Sequence, residues 1–267
     1  MDLPQEKERW VLVRTHAQVQ ATKEQMEKKG KKTQRARRSE MRNPWIDLPE
    51  TAPFVLACDK QGIVDFNIKA KPAHKIHLEL LPAPYAGNPE AKIVLLNLNP
   101  GFYERNERYL LGDEYFIQAS RANLMHTQQA YPFYLLDPRH AASPGYYWWS
   151  RKLKPLIDRY GLKKVANEVC VVEYFPYHSA HFGCTIVVPS QAYNVYLVKE
   201  SLKRNALIIQ MRSRSVWQRA IPDLARYPNY YEVKNPQNPT ISANNCPGGF
   251  PEMLKVLGST TYPPRDI

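Results

Sequence analysis

The sequence contains few cysteines, four among 267 residues, and no two of them form a CxxC pair. Disulfide frameworks, zinc knuckles and iron–sulfur clusters need closely spaced cysteines, so these three classes are excluded. The pair His178 and His181 lacks a third ligand at matching spacing, so we expect no metal site and no other cofactor. This cysteine usage is typical of a reduced intracellular protein, cytoplasmic if the source is bacterial.

Long apolar runs are also absent. The chain has no stretch of 18 apolar residues, and residues 1–10 lack the apolar centre of a secretory signal. We therefore expect neither secretion by that route nor a membrane-spanning segment. No internal repeat is present, and nothing in the sequence indicates an obligate protein partner.

Positive charge is present in excess. The chain has 37 basic and 25 acidic residues, a net charge of +12. Residues 1–42 contain twelve basic and six acidic residues, most densely at 28–38. They predict a basic arm, flexible or partly helical, that contacts nucleic-acid phosphates through charge. The alternatives are a solubility tail or a nuclear-import-like patch. For the whole chain, nucleic acid is the first expected partner and an anionic membrane surface the second.

Strand and helix patterns alternate through residues 43–267. This alternation predicts one α/β domain with a central four-stranded parallel sheet in a three-layer α/β/α arrangement. Strands are predicted by the apolar runs at 93–98, 169–174, 207–211 and 230–234. Helices are predicted by the periodic segments at 147–160, 191–204, 216–224 and 250–257.

Two further segments have distinct patterns. Short apolar runs at 54–58 and 63–66 flank a turn-like sequence and predict a hairpin. Residues 103–145 form a long insertion rich in aromatic residues, arginine and histidine. We expect this insertion to be functional, because it follows the ligand edge of the predicted sheet.

Polar segments follow all four predicted strands. The first strand ends in NLNPG (residues 97–101), in which Asn-Pro-Gly stops the strand and forces a tight turn. The other strands end in EYFPYHS (173–179), QMRSRS (210–215) and NPQNPTISANN (235–245). Because the carboxyl ends of parallel strands meet at one edge, these segments predict an active-site rim.

Three of these segments resemble motifs of the uracil-DNA glycosylase superfamily, closest to its single-strand-selective monofunctional and mismatch-specific branches. NLNPGF (97–102) is similar to the Gly-hydrophobic-Asn-Pro-Gly turn of the first motif. NPQNPTISANNCPGGF (235–250) resembles the second motif, and VVEYFPYHS (171–179) lies where these enzymes have a base-reading loop. The resemblance covers about residues 43–260. It implies a monofunctional DNA glycosylase that extrudes a base and hydrolyses its N-glycosidic bond, in repair or in defence against foreign DNA.

The resemblance also implies roles for individual residues. Asn99 would orient the attacking water, Asn235 would stabilise the departing base, and Phe102 would form a stacking wall for that base. The reaction creates negative charge on the base beside an oxocarbenium-like sugar, so it needs a positioned water and aimed donors. The alternatives are turn amides for the two asparagines and core packing for Phe102. No lysine lies where a Schiff-base nucleophile would, although Lys234 is adjacent to Asn235, so lyase activity is not expected.

Two residues depart from the family pattern. Asn97 stands where the family usually has Gly, so the turn is more crowded or carries an extra polar group, which makes Asn97 a candidate for base binding. Glu173 stands where the single-strand-selective enzymes use Asn to read uracil. An ionised carboxylate only accepts hydrogen bonds, so Glu173 suits an exocyclic amine. The hypothesis is a modified or amino-bearing base rather than uracil, and the alternative is that Glu173 pairs with Arg212 or Arg214.

The remaining candidates are DNA contacts. The residues after the third strand resemble a phosphate clamp, but they would equally cap the next helix and form surface pairs. Glycines in the last motif allow close backbone approach to a DNA strand, or simply begin the last helix. The candidate DNA-binding residues are Arg212, Ser213, Arg214, His178, Asn244, Asn245, Gly248 and Gly249.

Two other functions stay open. The chain could be a non-catalytic nucleic-acid-binding protein that keeps a glycosylase scaffold and senses a base. It could also be an α/β enzyme that acts on free nucleotides or nucleosides. The basic arm argues against the second, because a small substrate gains little from such a segment.

Overall fold

A computed structural model describes residues 41–103, 111–183 and 185–259 of the chain. The predicted basic arm lies outside the described residues, apart from Met41 and Arg42. Among the residues described, no helix has the length and apolar character needed to cross a membrane.

Five strands form one mixed sheet in the order β1-β3-β2-β4-β5. The parallel pairs are β2 with β3, β2 with β4, and β4 with β5, while β1 runs antiparallel to β3. The α/β class is therefore confirmed, but the sheet is not simply four parallel strands, because the two-residue β1 is too short to give a periodic pattern. The strands are β1 Tyr85–Ala86, β2 Ile93–Asn97, β3 Val169–Glu173, β4 Leu207–Gln210 and β5 Tyr230–Glu232.

Eight α-helices lie wholly within the described residues. All four predicted helical segments contain helix, although the first, at 147–160, is divided into two helices and begins three residues earlier, at Pro144. The helices are α1 Ala57–Lys69, α2 Glu114–Leu124, α3 Pro144–Lys152, α4 Lys154–Tyr160, α5 Leu162–Glu168, α6 Gln191–Lys203, α7 Arg214–Ala220 and α8 Gly249–Ser259.

The predicted hairpin at 54–66 is wrong, because most of it lies in the continuous helix α1. Asp59 and Ile63, one helical turn apart, are both buried on one face. The Tyr177 hydroxyl donates to Asp59 Oδ2 over 2.7 Å, and the Ser190 backbone N–H donates to Oδ1 over 3.0 Å. In the sequence Asp59 resembles a turn residue. In the structure its buried carboxylate anchors the helix to the core.

The insertion after β2 is partly core structure. Asp113 caps α2, since its Oδ1 accepts from the Phe116 backbone N–H at 2.7 Å. Phe116, Phe133 and Tyr134 are all buried in the same hydrophobic cluster. Much of the insertion is therefore held in place by packing.

Hydrophobic residues cover both faces of β2. Val94 and Leu96 pack into one cluster, while Ile93 and Leu95 pack into a second. Burial on both faces explains the continuous apolar run that predicts this strand. It also places the carboxyl end of β2 in the centre of the sheet, where the polar segments begin.

Candidate functional site

The site is built on the adjacent ends of β2 and β3. Asn97 ends β2 and Glu173 ends β3, and the two are direct partners in the parallel register. Asn97 Nδ2 donates to Glu173 Oε1 over 3.0 Å. Both residues are only 5% exposed. The fold therefore brings together the two residues that depart from the family pattern.

Three buried polar atoms at this edge have no hydrogen-bond partner among the described residues: Asn97 Oδ1, Glu173 Oε2 and Arg212 Nε. Buried polar atoms are normally paired, and leaving one unpaired costs about 1–3 kcal/mol. The backbone beneath them is fixed, since Trp217 Nε1 donates to the Asn97 carbonyl over 2.7 Å. Unsatisfied atoms on a fixed frame are suited to binding a polar ligand.

Burial raises the pKa of Glu173 to about 8, and the hydrogen bond from Asn97 and the positive charge of Arg212 lower it less strongly. The carboxyl group is therefore mostly protonated at pH 7 and offers a donor as well as an acceptor. The expectation of an ionised, acceptor-only Glu173 does not hold at neutral pH.

The alternative role of Glu173 as an ion-pair partner is not observed. Among the described residues Glu173 forms no salt bridge, and Arg214 instead pairs with Glu232, with Nε and Oε1 3.0 Å apart. Arg212 Nη2 donates to the Gln237 carbonyl over 3.3 Å. Among the described residues, the Glu173 carboxyl group is hydrogen-bonded to Asn97 alone, through one of its two oxygens.

Asn99 is fixed in the turn that follows β2. Its Nδ2 donates to Ser179 Oγ over 3.0 Å and to the Pro100 carbonyl over 2.9 Å. Ser179 N–H donates in turn to the Pro100 carbonyl over 3.3 Å. Asn99 Oδ1 accepts no hydrogen bond from the described residues, so it remains available to a water molecule.

Phe102 is half-buried outside the core, and its ring stacks on His77. The ring centroids are 3.4 Å apart and the planes differ by 14°. Sequence reasoning missed His77, because it precedes the sheet in a segment with no recognisable pattern. One face of Phe102 is therefore covered by a protein side chain.

His178 lies between the two loops. Its Nδ1 is 2.7 Å from the Gly101 carbonyl, and its own carbonyl accepts from the His77 N–H over 3.0 Å. Burial is the main cause that lowers the pKa of His178. This direction favours the neutral ring, which joins the two loops through its contact with Gly101.

Asn235 is exposed and caps its own turn. Its Oδ1 accepts from the backbone N–H groups of Gln237 and Asn238, each over 3.1 Å. Asn245 Oδ1 accepts from the Asn235 N–H over 2.8 Å, and Asn245 Nδ2 donates to the Thr240 carbonyl over 2.9 Å. Asn245 thus holds the 235–245 loop together, and Nδ2 of the Asn235 side chain has no partner among the described residues.

Two candidates for DNA contact have structural roles at the start of α7. Ser213 adopts a left-handed backbone conformation, with φ 61° and ψ 45°, and its carbonyl accepts from Val216 and Trp217. Arg214 is engaged with Glu232. Of the three predicted clamp residues, Arg212 alone has a buried donor without a partner in the described part of the chain.

The glycines of the last motif are required by packing. A Cβ on Gly249 would lie 2.7 Å from Ile209 Cδ1 and 2.8 Å from Cys246 Sγ. One on Gly248 would lie 2.9 Å from Tyr231 Cδ1. These residues let α8 approach the sheet closely, which matches the alternative that they begin the last helix. Asn244, just before them, is exposed.

A separate cleft of about 330 Å³ lies at the opposite edge of the sheet. Its lining includes Lys92, which precedes β2, and Leu207, which begins β4. Arg204 also lines it, but its Nη2 is engaged with Ser201 Oγ at 2.8 Å. None of the candidate site residues lines this cleft. The described residues also contain no group of three or more His, Cys, Asp or Glu that could hold a metal ion.

Comparison with known proteins does not help to interpret this site. Comparison of the chain with protein-family models, with curated proteins and with solved structures found no match. The functional assignment therefore depends on the motifs and on the geometry described above.

Proposed function

We propose that the protein is a monofunctional DNA glycosylase that extrudes a base and hydrolyses its N-glycosidic bond to leave an abasic site. The convergence of Asn97, Asn99 and Glu173 at the carboxyl edge of β2 and β3 carries this proposal. Hydrophobic clusters on both faces of the sheet support a three-layer α/β/α arrangement around the parallel strands β2 to β5. Ligands bind at the carboxyl edge in such sheets.

Asn99 is the residue proposed to orient the attacking water. Because Nδ2 is tied to Ser179 and Pro100, the amide group is held in one orientation. A water that donates to Oδ1 would keep a lone pair free to attack the sugar carbon. Fixing the water before the bond breaks removes part of the entropic cost of the reaction.

Asn97 and Glu173 are proposed to read the base. The unpartnered Asn97 Oδ1 accepts, and the protonated Glu173 Oε2 donates. An acceptor beside a donor complements the exocyclic amine and neighbouring ring nitrogen of cytosine or adenine. Uracil offers a complementary pair in the opposite order, through its ring N–H and a carbonyl. The hydrogen-bond pair alone therefore does not separate the two kinds of base, and the proposed choice of a modified or amino-bearing base is tested by comparing its release with that of uracil.

The test is formation of an abasic site in labelled oligonucleotides that carry candidate bases. After treatment with hot alkali, which cuts the strand at an abasic site, we expect cleavage with the wild-type chain and a loss of roughly 100-fold or more with Asn99→Ala. Asn229→Ala, at the amino edge of the sheet, is the matched control and should keep full activity. Equal rates for wild type and Asn99→Ala would contradict the proposal.

A second function is favoured by the surroundings of Asn235 and of the two residues proposed to read the base, Asn97 and Glu173. The Asn235 side chain lies exposed to solvent rather than in a dry pocket, and Asn97 and Glu173 are almost fully buried. A protein that binds DNA and senses a base without cleaving it requires no assembled donor for the leaving group. Tight DNA binding without any abasic product would support this alternative.

A further inference from the structure

A cluster of cations surrounds an aromatic side chain next to the candidate site. Trp148, in α3, is half-buried and lies edge-on to Trp149, with ring centroids 4.5 Å apart. Lys152 Nζ lies 5.5 Å from the Trp148 ring centroid, and Arg212 Cζ lies 5.8 Å from it. Both distances are within the range of cation–π attraction, so the indole holds two positive charges close together.

A third cation extends this cluster onto the surface. Arg151 Nη1 donates to the Tyr147 hydroxyl over 2.6 Å, and its Cζ lies 5.1 Å from the Tyr147 ring centroid. The Tyr147 side chain is on the outside of the molecule, with 61% of the residue exposed. It presents an aromatic ring beside the cations.

The three cations are not compensated by acidic side chains. Arg151, Lys152 and Arg212 form no salt bridge with any described residue, whereas six other Lys or Arg residues of the described ranges pair with acids. Burial lowers the pKa of Lys152, and Arg212 and Arg151 lower it further. Three neighbouring positive charges that repel one another are stabilised by an anion.

The cluster adjoins the loop that follows β5. Arg212 donates to the Gln237 carbonyl, and the Lys152 ammonium donates to Asn238 Oδ1. The Ile241 backbone N–H donates to the Lys152 carbonyl over 2.9 Å, so α3 and the loop are joined directly. An anion bound here would lie at the same edge of the sheet as Asn99 and Glu173.

We propose that Tyr147, Arg151, Lys152 and Arg212, supported by Trp148, form a strand-binding surface for single-stranded DNA beside the extruded base. The cations bind successive phosphates, and Tyr147 stacks on an unpaired base. An exposed aromatic ring beside cations suits a single strand, since only an unpaired base offers its face. The location of this surface at the catalytic edge depends on the proposed function, but its binding of DNA does not.

The experiment measures binding of the full chain to a fluorescent single-stranded oligonucleotide at several salt concentrations. Arg151→Gln and Lys152→Gln should each weaken binding and reduce the slope of log K against log salt by roughly 0.7. Tyr147→Ala should weaken binding roughly 5- to 150-fold with an unchanged slope, since stacking involves no counterion release. Lys154→Gln is the control, because Lys154 already pairs with Asp158 over 2.8 Å and should leave the slope unchanged.

Circular dichroism of each variant verifies that the fold is kept. Wild-type slopes in both Arg151→Gln and Lys152→Gln, or a Tyr147→Ala variant that binds as the wild type does, would overturn the inference. A preference for duplex DNA that Tyr147→Ala leaves unchanged would also overturn it. If the expected slope changes occur without base release, the inference stands and the proposed function fails. If base is released but the slopes do not change, the inference alone fails.

Discussion

Replacement of Glu173 by Gln should change how the stability of the protein depends on pH. Glutamine has nearly the same shape and still accepts a hydrogen bond from Asn97 Nδ2, but it does not ionise. Glu173 has a native pKa of about 8, against an ordinary value of 4.5. The native state therefore binds this proton more tightly than the unfolded chain does. The resulting stabilisation is complete below the ordinary pKa and is lost as the pH rises through the native pKa.

The size of the effect follows from the two pKa values. Their difference corresponds to about 5 kcal/mol over the full titration. Between pH 5.5 and pH 8.5 the wild-type chain should lose about 3 kcal/mol of unfolding free energy through this one group. The Glu173→Gln variant should not lose this unfolding free energy, because its side chain does not ionise. The difference in stability between variant and wild type should therefore shift by about 3 kcal/mol in favour of the variant over that range.

Urea unfolding followed by tryptophan fluorescence, at pH values of about 5.5, 7 and 8.5, measures this difference. Other titrating groups contribute equally to both proteins, so they cancel in the comparison. Glu114→Gln, which changes an exposed carboxyl group on α2, is the control. Its unfolding free energy should differ from that of the wild type by the same amount at all three pH values. If the difference in unfolding free energy between Glu173→Gln and wild type is the same at all three pH values, burial does not hold this carboxyl group protonated.

Two further predictions concern packing and positioning. Gly249→Ala should destabilise the protein by roughly 1–3 kcal/mol in urea unfolding, because its Cβ would overlap Ile209 and Cys246. Gly258→Ala in the same helix meets only the Tyr160 hydroxyl, at 3.7 Å, and should be neutral or stabilising; equal losses in both variants would contradict this reading. Ser179→Ala should reduce the rate of base release while leaving DNA affinity unchanged, because it removes one of the two hydrogen bonds that orient the Asn99 amide; unchanged single-turnover rates would show that Ser179 does not position Asn99.

The central strands could be predicted because a continuous apolar run indicates a strand that is buried on both faces. The run Ile93–Leu96 needs an apolar neighbour on each side of the sheet, and both hydrophobic clusters supply one. Helix α1 could not be predicted from its sequence in the same way. It contains a glycine and buries an aspartate, and the partners that make this aspartate tolerable, Tyr177 and Ser190, are more than a hundred residues away.

The candidate site was predictable in its members but not in its contacts. Asn97, Asn99 and Glu173 could be named because each follows an apolar strand. Their hydrogen bonds depend on the strand order, which places β3 beside β2 and aligns Asn97 with Glu173. The protonation of Glu173 depends on burial by residues throughout the chain. The stacking of His77 on Phe102 is likewise non-local, and no motif marks it.

The most direct measurement is the identification of free base released from matched oligonucleotides containing uracil, cytosine, several modified cytosines or adenine, with the products analysed by mass spectrometry. We predict release of a modified or amino-bearing base, an abasic site in the remaining strand, and loss of both with Asn99→Ala. Efficient release of uracil alone would refute the proposed role of Asn97 and Glu173 in base choice. Release of no base from any strand, with wild type and Asn99→Ala indistinguishable, would contradict the assignment as a DNA glycosylase.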